Sequence, residues 1–233
     1  MIKNEKSDKK RISCIIPAYN EGKRIVNVLS IVDGHPLIDE IIVINDGSTD
    51  NTLNVLKKFK NITLITYDKN KGKSFAVYKG IKKSRNDLLM LLDADLLGLT
   101  KKDITNLALP IFQNKADISI SLRKNAFIGF RLIGIDFISG ERVFSKKIIK
   151  NKEDLAKLKC FGIEVYLNKI VIKNKLRVKI VRWNNIISPF QNKKFGILKG
   201  IRGYSSMLVD IIKTIGFFHM ICQTFYMLRL RVK

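Results

Sequence analysis

Two aspartates separated by one residue, Asp93 and Asp95, follow an apolar run that reads LLMLL. Such a run is typical of a strand covered on both faces, and parallel sheets of such strands bind ligands at the carboxyl ends of the strands. Side chains two residues apart on extended backbone point the same way, so the two carboxylates can act together on a divalent cation. The pair therefore predicts either a metal site for an anionic ligand or an acidic turn after a core strand.

Three other polar turns follow apolar runs in the same way. They read PAYNEG (residues 17–22), NDGSTDN (45–51) and DKNKGK (68–73). Between residues 12 and 120 the apolar runs alternate with helical patterns, which predicts an α/β fold with an open, mostly parallel sheet flanked by helices. Because the carboxyl ends of parallel strands meet at one edge, we expect all four turns to line one site.

The residue types in these turns suit a nucleotide. Asp46 can accept hydrogen bonds from an imide or a ribose, Tyr19 can lie against a base, and Glu21 can reach a sugar hydroxyl. Gly72 permits close approach of the backbone, and Lys73 offers a positive charge to a phosphate. Each residue also has a structural explanation, such as a helix cap, a turn or a surface lysine. Only the ordered set indicates a nucleotide with a diphosphate.

This ordered set resembles the family 2 glycosyltransferases with the A-type nucleotide-binding fold, from about Ile12 to Gly200. The resemblance implies that the PAYNE stretch, the Asp of the DGS turn, the K-G-K segment and the D-x-D turn hold a nucleotide diphosphate sugar. The implied donor-binding residues are Pro17, Ala18, Tyr19, Glu21, Asp46, Gly72, Lys73, Asp93 and Ala94. It also implies that Asp95 serves catalysis by holding Mg²⁺ or Mn²⁺.

Two later motifs resemble the polyprenyl-phosphate sugar synthases. The stretch DFISGER (136–142) is similar to their D-x-x-S-G-x-R element, and SLR (121–123) is similar to their G-S-R. The resemblance implies that Arg123, Gly140 and Arg142 face the acceptor. Since guanidinium groups bind phosphate oxygens in pairs, the two arginines suit a phosphate-bearing acceptor, and structural ion pairs are the alternative.

The segment FGIE (161–164) is similar to a G-x-E segment of bacterial members, including relatives of the glucosyl-3-phosphoglycerate synthases. This likeness makes Glu164 the candidate base, which a hydroxyl acceptor needs and an already anionic phosphate does not. Two acceptor classes therefore stay open. One is a phosphate-bearing or lipid-linked acceptor at a membrane surface, and the other is a small soluble acid such as a phosphoglycerate.

The chain departs from its relatives at three positions. Asn45 precedes Asp46 where many members have a second Asp, and Leu97 stands where mannose synthases have Gln. Relatives of the phosphoglycerate enzymes carry a His metal ligand before a segment that reads KFGILKG (194–200) here, and the matching position is Ser188. The metal ligands beyond Asp95 are therefore left unassigned.

The length of 233 residues and a hydrophobic content of 46% suit one domain with a small appendage. We expect a basic tail over 1–11 and a glycosyltransferase domain over 12–203. Within that domain, residues 12–122 would form the nucleotide-sugar half and 123–203 the acceptor half. A C-terminal apolar and basic helix would follow over 204–233.

The formal net charge of +24 would attract phosphates, anionic lipid or nucleic acid, although a biased composition is an equal explanation. A nucleic-acid-binding module would not explain acidic residues gathered at strand ends, so we expect no specific nucleic acid partner. A nucleotidyltransferase should carry a glycine-rich phosphate loop near its start, and PAYNEGKR is not one.

The cysteines and the C-terminal segment bear on location. Cys14, Cys160 and Cys222 form no close pair, and the basic N-terminus lacks the pattern of a signal peptide, so we expect a cytoplasmic protein. Ser205–Leu230 is apolar and ends in cations, which favours an interfacial helix on the inner face of the cell membrane. The alternative is a helix packed on the domain or on the partner of a homodimer.

Overall fold

The computed structural model describes residues 11–158, 162–189 and 216–232, and its centre is one seven-stranded sheet. The strands are β1 (Ile12–Ala18), β2 (Ile38–Asp46), β3 (Thr63–Tyr67), β4 (Leu88–Leu91), β5 (Ile118–Arg123), β6 (Arg142–Ser145) and β7 (Val178–Trp183). Their order across the sheet is β3-β2-β1-β4-β6-β5-β7. Strand β6 is antiparallel to both neighbours and the other pairs are parallel, which confirms the predicted α/β fold.

Helices cover both faces of this sheet. The helices are α1 (Ile25–Val32), α2 (Thr52–Leu56), α3 (Lys73–Lys83), α4 (Lys101–Phe112), α5 (Ile128–Ile133), α6 (Glu153–Ala156), α7 (Gly162–Lys173) and α8 (Phe217–Arg229), and a 3₁₀ turn spans Lys146–Ile148. Helices α1 and α2 begin at Ile25 and Thr52, after the PAYNEG and NDGSTDN turns. These turns are held by side chains, because Asn20 accepts a hydrogen bond from the Thr49 amide.

The core has two layers, one on each face of the sheet. Cys14 and Ile16 of β1 pack with α1 and α4 on one face, whereas Ile15 packs with α3 and α7 on the other. This alternation is the period of two that a strand imposes on its side chains. Because both faces are covered, the ends of the central strands are held in fixed positions.

Two elements near the acceptor motifs were not predicted. Strand β6 begins at Arg142, inside the DFISGER motif, and inserts between β4 and β5. Its four residues are too few to show strand periodicity in the sequence. Helix α5 lies between the SLR and DFISGER motifs.

The described part of the C-terminal helix packs on the domain along one side, and its binding to a membrane stays a prediction. Residues 205–215 of the predicted helix lie outside the described residues. In α8, Met227 is fully buried in the core layer that contains α7, whereas Phe225 and Tyr226 are 65% and 53% exposed. Across residues 11–158, 162–189 and 216–232, none of the helices combines the length and apolarity needed to span a bilayer.

Candidate active site

A cleft of about 370 Å³ opens at the carboxyl ends of β1, β2 and β4, beside the first turn of α3. It is lined by Pro17, Ala18, Tyr19, Glu21, Asp46, Asn70, Gly72, Lys73, Asp93, Ala94 and Asp95. All nine predicted donor-binding residues and the predicted metal ligand are in this list. The structure thus brings the four turns together, and the contacts of each residue with a nucleotide sugar stay a prediction.

Asp46 shapes one wall of the cleft by holding the loop before α3. Its carboxylate accepts hydrogen bonds from the Lys71 amide at 2.8 Å, the Gly72 amide at 2.9 Å and the Asn70 side chain at 3.1 Å. Gly72 has a φ of +91°, a conformation that side chains rarely adopt, and the chain turns there into α3. The side chain of Asp46 therefore positions the loop that delivers Lys73.

Lys73 joins two carboxylates from distant parts of the chain. Its ammonium lies 2.7 Å from Asp93 Oδ1 and 2.9 Å from Glu164 Oε1, at the start of α7. Although burial disfavours the ammonium, these two carboxylates raise the pKa of Lys73 above its ordinary value. Burial likewise opposes ionisation of Asp93, but Lys73 and Arg123 lower the pKa of Asp93 to about 2. Both groups are thus charged at neutral pH.

Arg123, at the end of β5, extends this row of charges. Its guanidinium lies 3.7 Å from Asp93 Oδ2 and donates to Glu141 Oε1 at 3.1 Å. Glu141 is fully buried and also accepts from the hydroxyls of Ser121 and Ser139, at 2.6 and 2.8 Å. Burial raises the pKa of Glu141, against the effect of Arg123. Sequence reasoning missed Glu141, which occupies the variable position of the D-x-x-S-G-x-R element.

Asp95 also lines the cleft and lies against the segment that follows β7. Leu97 and Ile187 exchange backbone hydrogen bonds of 2.9 and 3.1 Å, which brings Ser188 next to the D-x-D turn. The Ser188 hydroxyl then donates to Asp95 Oδ2 at 2.9 Å. The alignment that matched Ser188 to a metal-ligand position therefore agrees with the fold, because Ser188 touches the predicted metal ligand.

Comparison with known proteins assigns the chain to a protein family. Residues 13–174 match the family described as Glycosyl transferase family 2. The chain belongs to this family. It is 30% identical to a dolichyl-phosphate beta-glucosyltransferase of Trichomonas vaginalis, over 89% of this chain and 73% of that protein. It is also 30% identical to a UDP-N-acetylglucosamine–dolichyl-phosphate N-acetylglucosaminyltransferase of Methanococcus voltae, over 78% of this chain and 88% of that protein.

A solved structure shares the fold of this glycosyltransferase. The glucosyl-3-phosphoglycerate synthase of Mycobacterium tuberculosis, in complex with Mn²⁺, uridine diphosphate and phosphoglyceric acid, matches with a TM-score of 0.63 at 20% identity. The match covers 85% of this chain and 78% of that one. The A-type glycosyltransferase fold that the sequence motifs implied is thereby confirmed.

Gly140 of the glycosyltransferase lies directly against the ion pair between Lys73 and Asp93. A Cβ added at this position would lie 2.5 Å from Lys73 Nζ and 2.7 Å from Asp93 Oδ1. A side chain of any kind would therefore collide with the ion pair. The structure places this residue, predicted to face the acceptor, next to two residues that line the cleft.

Arg142 is enclosed by the fold of the glycosyltransferase. Its side chain is fully buried, and it donates to the carbonyls of Ser139 and Phe137 and to the side chain of Asn168, at 2.7 to 2.8 Å. Burial lowers the pKa of Arg142 to about 10. These contacts are those of a structural residue that ties the loop before β6 to α7. They do not support the expected contact with an acceptor, which stays a prediction.

The oxygen atoms of Asp95 and Ser188 suit a hard divalent cation. The oxygens of Asp95 and Ser188 lie together, and oxygen ligands are those that Mg²⁺ and Mn²⁺ prefer. Within the three described ranges, the protein has no group of three or more His, Cys, Asp or Glu residues suited to hold a metal. A cation at Asp95 would thus use ligand oxygens as well as protein oxygens. His35 is no ligand there, since its ring contacts the Lys101 carbonyl and the Thr105 hydroxyl.

Proposed function

We propose that this glycosyltransferase transfers a hexose from a nucleotide diphosphate sugar to a phosphate-bearing, lipid-linked acceptor, with a divalent cation at Asp95. The observation that carries the proposal is the convergence of Asp46, Lys73, Asp93 and Asp95 on one cleft at the edge of the sheet. The two curated relatives act, by their names, with dolichyl phosphate, which supports an acceptor of this class.

The donor side follows from the charges in the cleft. Lys73 is held in its charged form at the first turn of α3, where it can meet the oxygens of a departing diphosphate. When bound at Asp95 beside Ser188, a divalent cation would offset further charge on the leaving group. Tyr19, whose side chain is 46% exposed at the rim, can lie against the base.

The proposed binding of the sugar acceptor is supported by buried side-chain atoms that make no hydrogen bond in the described part of the chain. Arg123 Nε and Glu164 Oε2 are buried and make no hydrogen bond within the described part of the chain. Such groups are rare in folded proteins, and a bound acceptor would supply them with partners. Arg123 can bind a phosphate oxygen through Nε, and a phosphate monoester attacks the sugar carbon without losing a proton to a base.

Glu164 is the residue that would serve the second acceptor class, a small soluble acid with a hydroxyl group. Its Oε1 is engaged by Lys73, and Oε2 is the atom that could take a proton from a hydroxyl acceptor such as a phosphoglycerate. The ion pair gives Glu164 a positioning task, because it holds Lys73 in the cleft, and this task does not involve taking a proton. We therefore favour the phosphate acceptor.

The first experiment tests the donor. A thermal-shift panel of UDP, GDP and dTDP sugars, with and without Mn²⁺, should show stabilisation by one nucleotide that depends on the metal. Asp95→Asn should abolish the metal-dependent part. Asp87→Asn is the matched control, because Asp87 precedes β4 at its opposite end and is exposed. Equal responses of the Asp95→Asn protein and the parent would contradict the metal role.

The second experiment separates the acceptors. Transfer from the preferred donor is measured to a short-chain polyprenyl phosphate and to 3-phosphoglycerate. We expect product from the polyprenyl phosphate, a strong loss with Arg123→Met and little loss with Glu164→Gln. Transfer to 3-phosphoglycerate alone, with the opposite sensitivity of the two variants, would assign the soluble acceptor instead.

A further inference from the structure

The exposed apolar side chains of this protein are concentrated in two segments. Ten large hydrophobic side chains are exposed in the described residues, and seven of them lie on α5 with its N-cap or on α8. The seven are Phe127, Ile128, Leu132, Ile133, Ile221, Phe225 and Tyr226. The other three, Tyr19, Val26 and Leu109, lie on separate elements. Clustered exposure of this kind marks an interaction surface, whereas single exposed residues are ordinary.

Helix α5 presents a ridge rather than packing into the core. Leu132 is 81% exposed and Ile128 is 67% exposed, and the four-residue spacing places them on one side of the helix. No residue of α5 is buried. The ridge is nevertheless held in place, because Phe130 packs edge to face on the buried Phe137, with ring centroids 5.1 Å apart.

The surface around this ridge is positively charged. Lys124, Arg131 and Arg182 line a depression of about 400 Å³ together with Ile128 and Leu132. The guanidinium of Arg231, just after α8, comes within 2.8 Å of the position that a Cβ would take at Gly134, the residue that ends α5. The sequences of 122–134, 178–189 and 216–232 contain no Asp or Glu. An apolar ridge in a cationic surround is complementary to an anionic bilayer surface.

Arg123 connects this depression to the catalytic cleft. Arg123 is one of the residues that line the depression, and the guanidinium of Arg123 lies 3.7 Å from Asp93. A lipid headgroup held at the depression would therefore stand next to the residue that we assign to the acceptor phosphate. The apolar ridge on α5 therefore lies close to a residue of the proposed reaction site.

We propose that α5 is an interfacial membrane anchor, whose residues Ile128 and Leu132 enter the headgroup region of an anionic bilayer. Arg131, Lys124 and Arg182 contact the lipid phosphates around them. The binding to membranes stands on the surface alone, and its consequence, delivery of the lipid acceptor to Arg123, rests on the proposed function.

The test is flotation of the full-length protein with vesicles of phosphatidylcholine plus phosphatidylglycerol and with vesicles of phosphatidylcholine alone. We expect binding to the anionic vesicles, and a loss of at least about tenfold in the partition coefficient for Ile128→Gln/Leu132→Gln and for Arg131→Glu. Val26→Gln and Lys58→Glu are matched controls, since Val26 on α1 and Lys58 just after α2 are exposed and belong to neither α5 nor α8, and both should float like the parent.

The variants also separate this inference from the proposed function. The Ile128→Gln/Leu132→Gln protein should keep its thermal shift with the donor, and it should lose transfer to a long-chain acceptor in vesicles but not to a water-soluble short-chain one. Unchanged flotation of this variant would overturn the anchor while leaving the glycosyl transfer intact. Normal flotation without transfer to either acceptor would overturn the proposed function instead. Concentration-dependent dimerisation that these substitutions abolish, with no vesicle binding by the parent, would assign α5 to a second copy of the chain and overturn the anchor.

Discussion

The ion pairs that we compare at the two edges of the sheet differ in their exposure to solvent. At the amino-end edge, Lys147 pairs with Asp87 at 2.9 Å, and the two side chains are 75% and 54% exposed. At the carboxyl-end edge, Lys73 pairs with Asp93 and with Glu164, which is only 2% exposed. Exposed pairs are screened by water and add little to stability, whereas buried charges carry a desolvation cost that folding alone does not require. The difference between these two sets of ion pairs supports the proposal that charge at the carboxyl-end edge serves function.

Removing the charge of Lys73 should produce the largest effect. In Lys73→Met, Asp93 and Glu164 lose their shared partner, and the leaving diphosphate loses a cation. We expect kcat to fall by about a hundredfold or more, from the cost of losing one electrostatic contact at a transition state. The measurement is the initial rate of sugar transfer at saturating donor. Lys147→Met is the control, and a rate as low in Lys147→Met as in Lys73→Met would remove the contrast between the edges.

The buried carboxyl of Asp136, in the loop before β6, should give the protein a pH-dependent stability. Burial raises the pKa of Asp136 to about 6, despite the nearby Arg123. Between about pH 4 and 6 the folded state binds more protons than the unfolded chain at this group, so the free energy of unfolding falls as pH rises through this window. The expected size is about 3 kcal/mol, because the pKa of Asp136 rises by roughly two units and each unit corresponds to about 1.4 kcal/mol.

Urea unfolding of the parent and of Asp136→Asn at several pH values measures this effect. The free energy of unfolding of the parent should decline relative to Asp136→Asn as pH rises, and level off above the folded-state pKa. Asp39→Asn is the control, since Arg11 lowers the pKa of the exposed Asp39 at the other edge. A parent and an Asp136→Asn protein whose difference does not vary with pH would show that Asp136 is not held in its neutral form.

Gly140 should tolerate no side chain, because a methyl group there would meet the ion pair below it. The added Cβ of Gly140→Ala would lie 2.5 Å from Lys73 Nζ, so the ammonium must move. We expect kcat to drop by about tenfold, as displaced catalytic groups lose their alignment. Gly129→Ala serves as the control, because its Cβ would touch only the side chain of Phe127. Full activity in Gly140→Ala would mean that the position of Lys73 is not critical.

The convergence at the carboxyl-end edge could be predicted because topology alone dictates it. Once β1, β2 and β4 were expected to be parallel, Asp46 and Asp93 had to meet, and Lys73 followed from the loop before α3. The placement of Ser188 beside Asp95 also agreed with the alignment of the motifs.

The structural roles of Glu141 and Arg142 could not be predicted in the same way. Both residues belong to a motif, and nothing in the sequence shows that the fold encloses both side chains completely. That burial depends on β6, which runs antiparallel between β4 and β5 and is too short to leave a periodic signal. The tertiary fold therefore decides the burial of Arg142, whereas its residue type suggested a binding role.

The smallest effect is expected at the amino-end edge itself. Asp87 accepts from Lys147 in full contact with solvent, and this hydrogen bond lowers the pKa of Asp87. In Asp87→Asn, water replaces the lost partner of Lys147, so the rate of sugar transfer and the melting temperature should both match the parent. Added salt should not widen any difference, because screening weakens an exposed pair further. If Asp87→Asn instead lowered the rate, charge at the amino ends of the strands would influence catalysis, and the two edges of the sheet would not be functionally distinct.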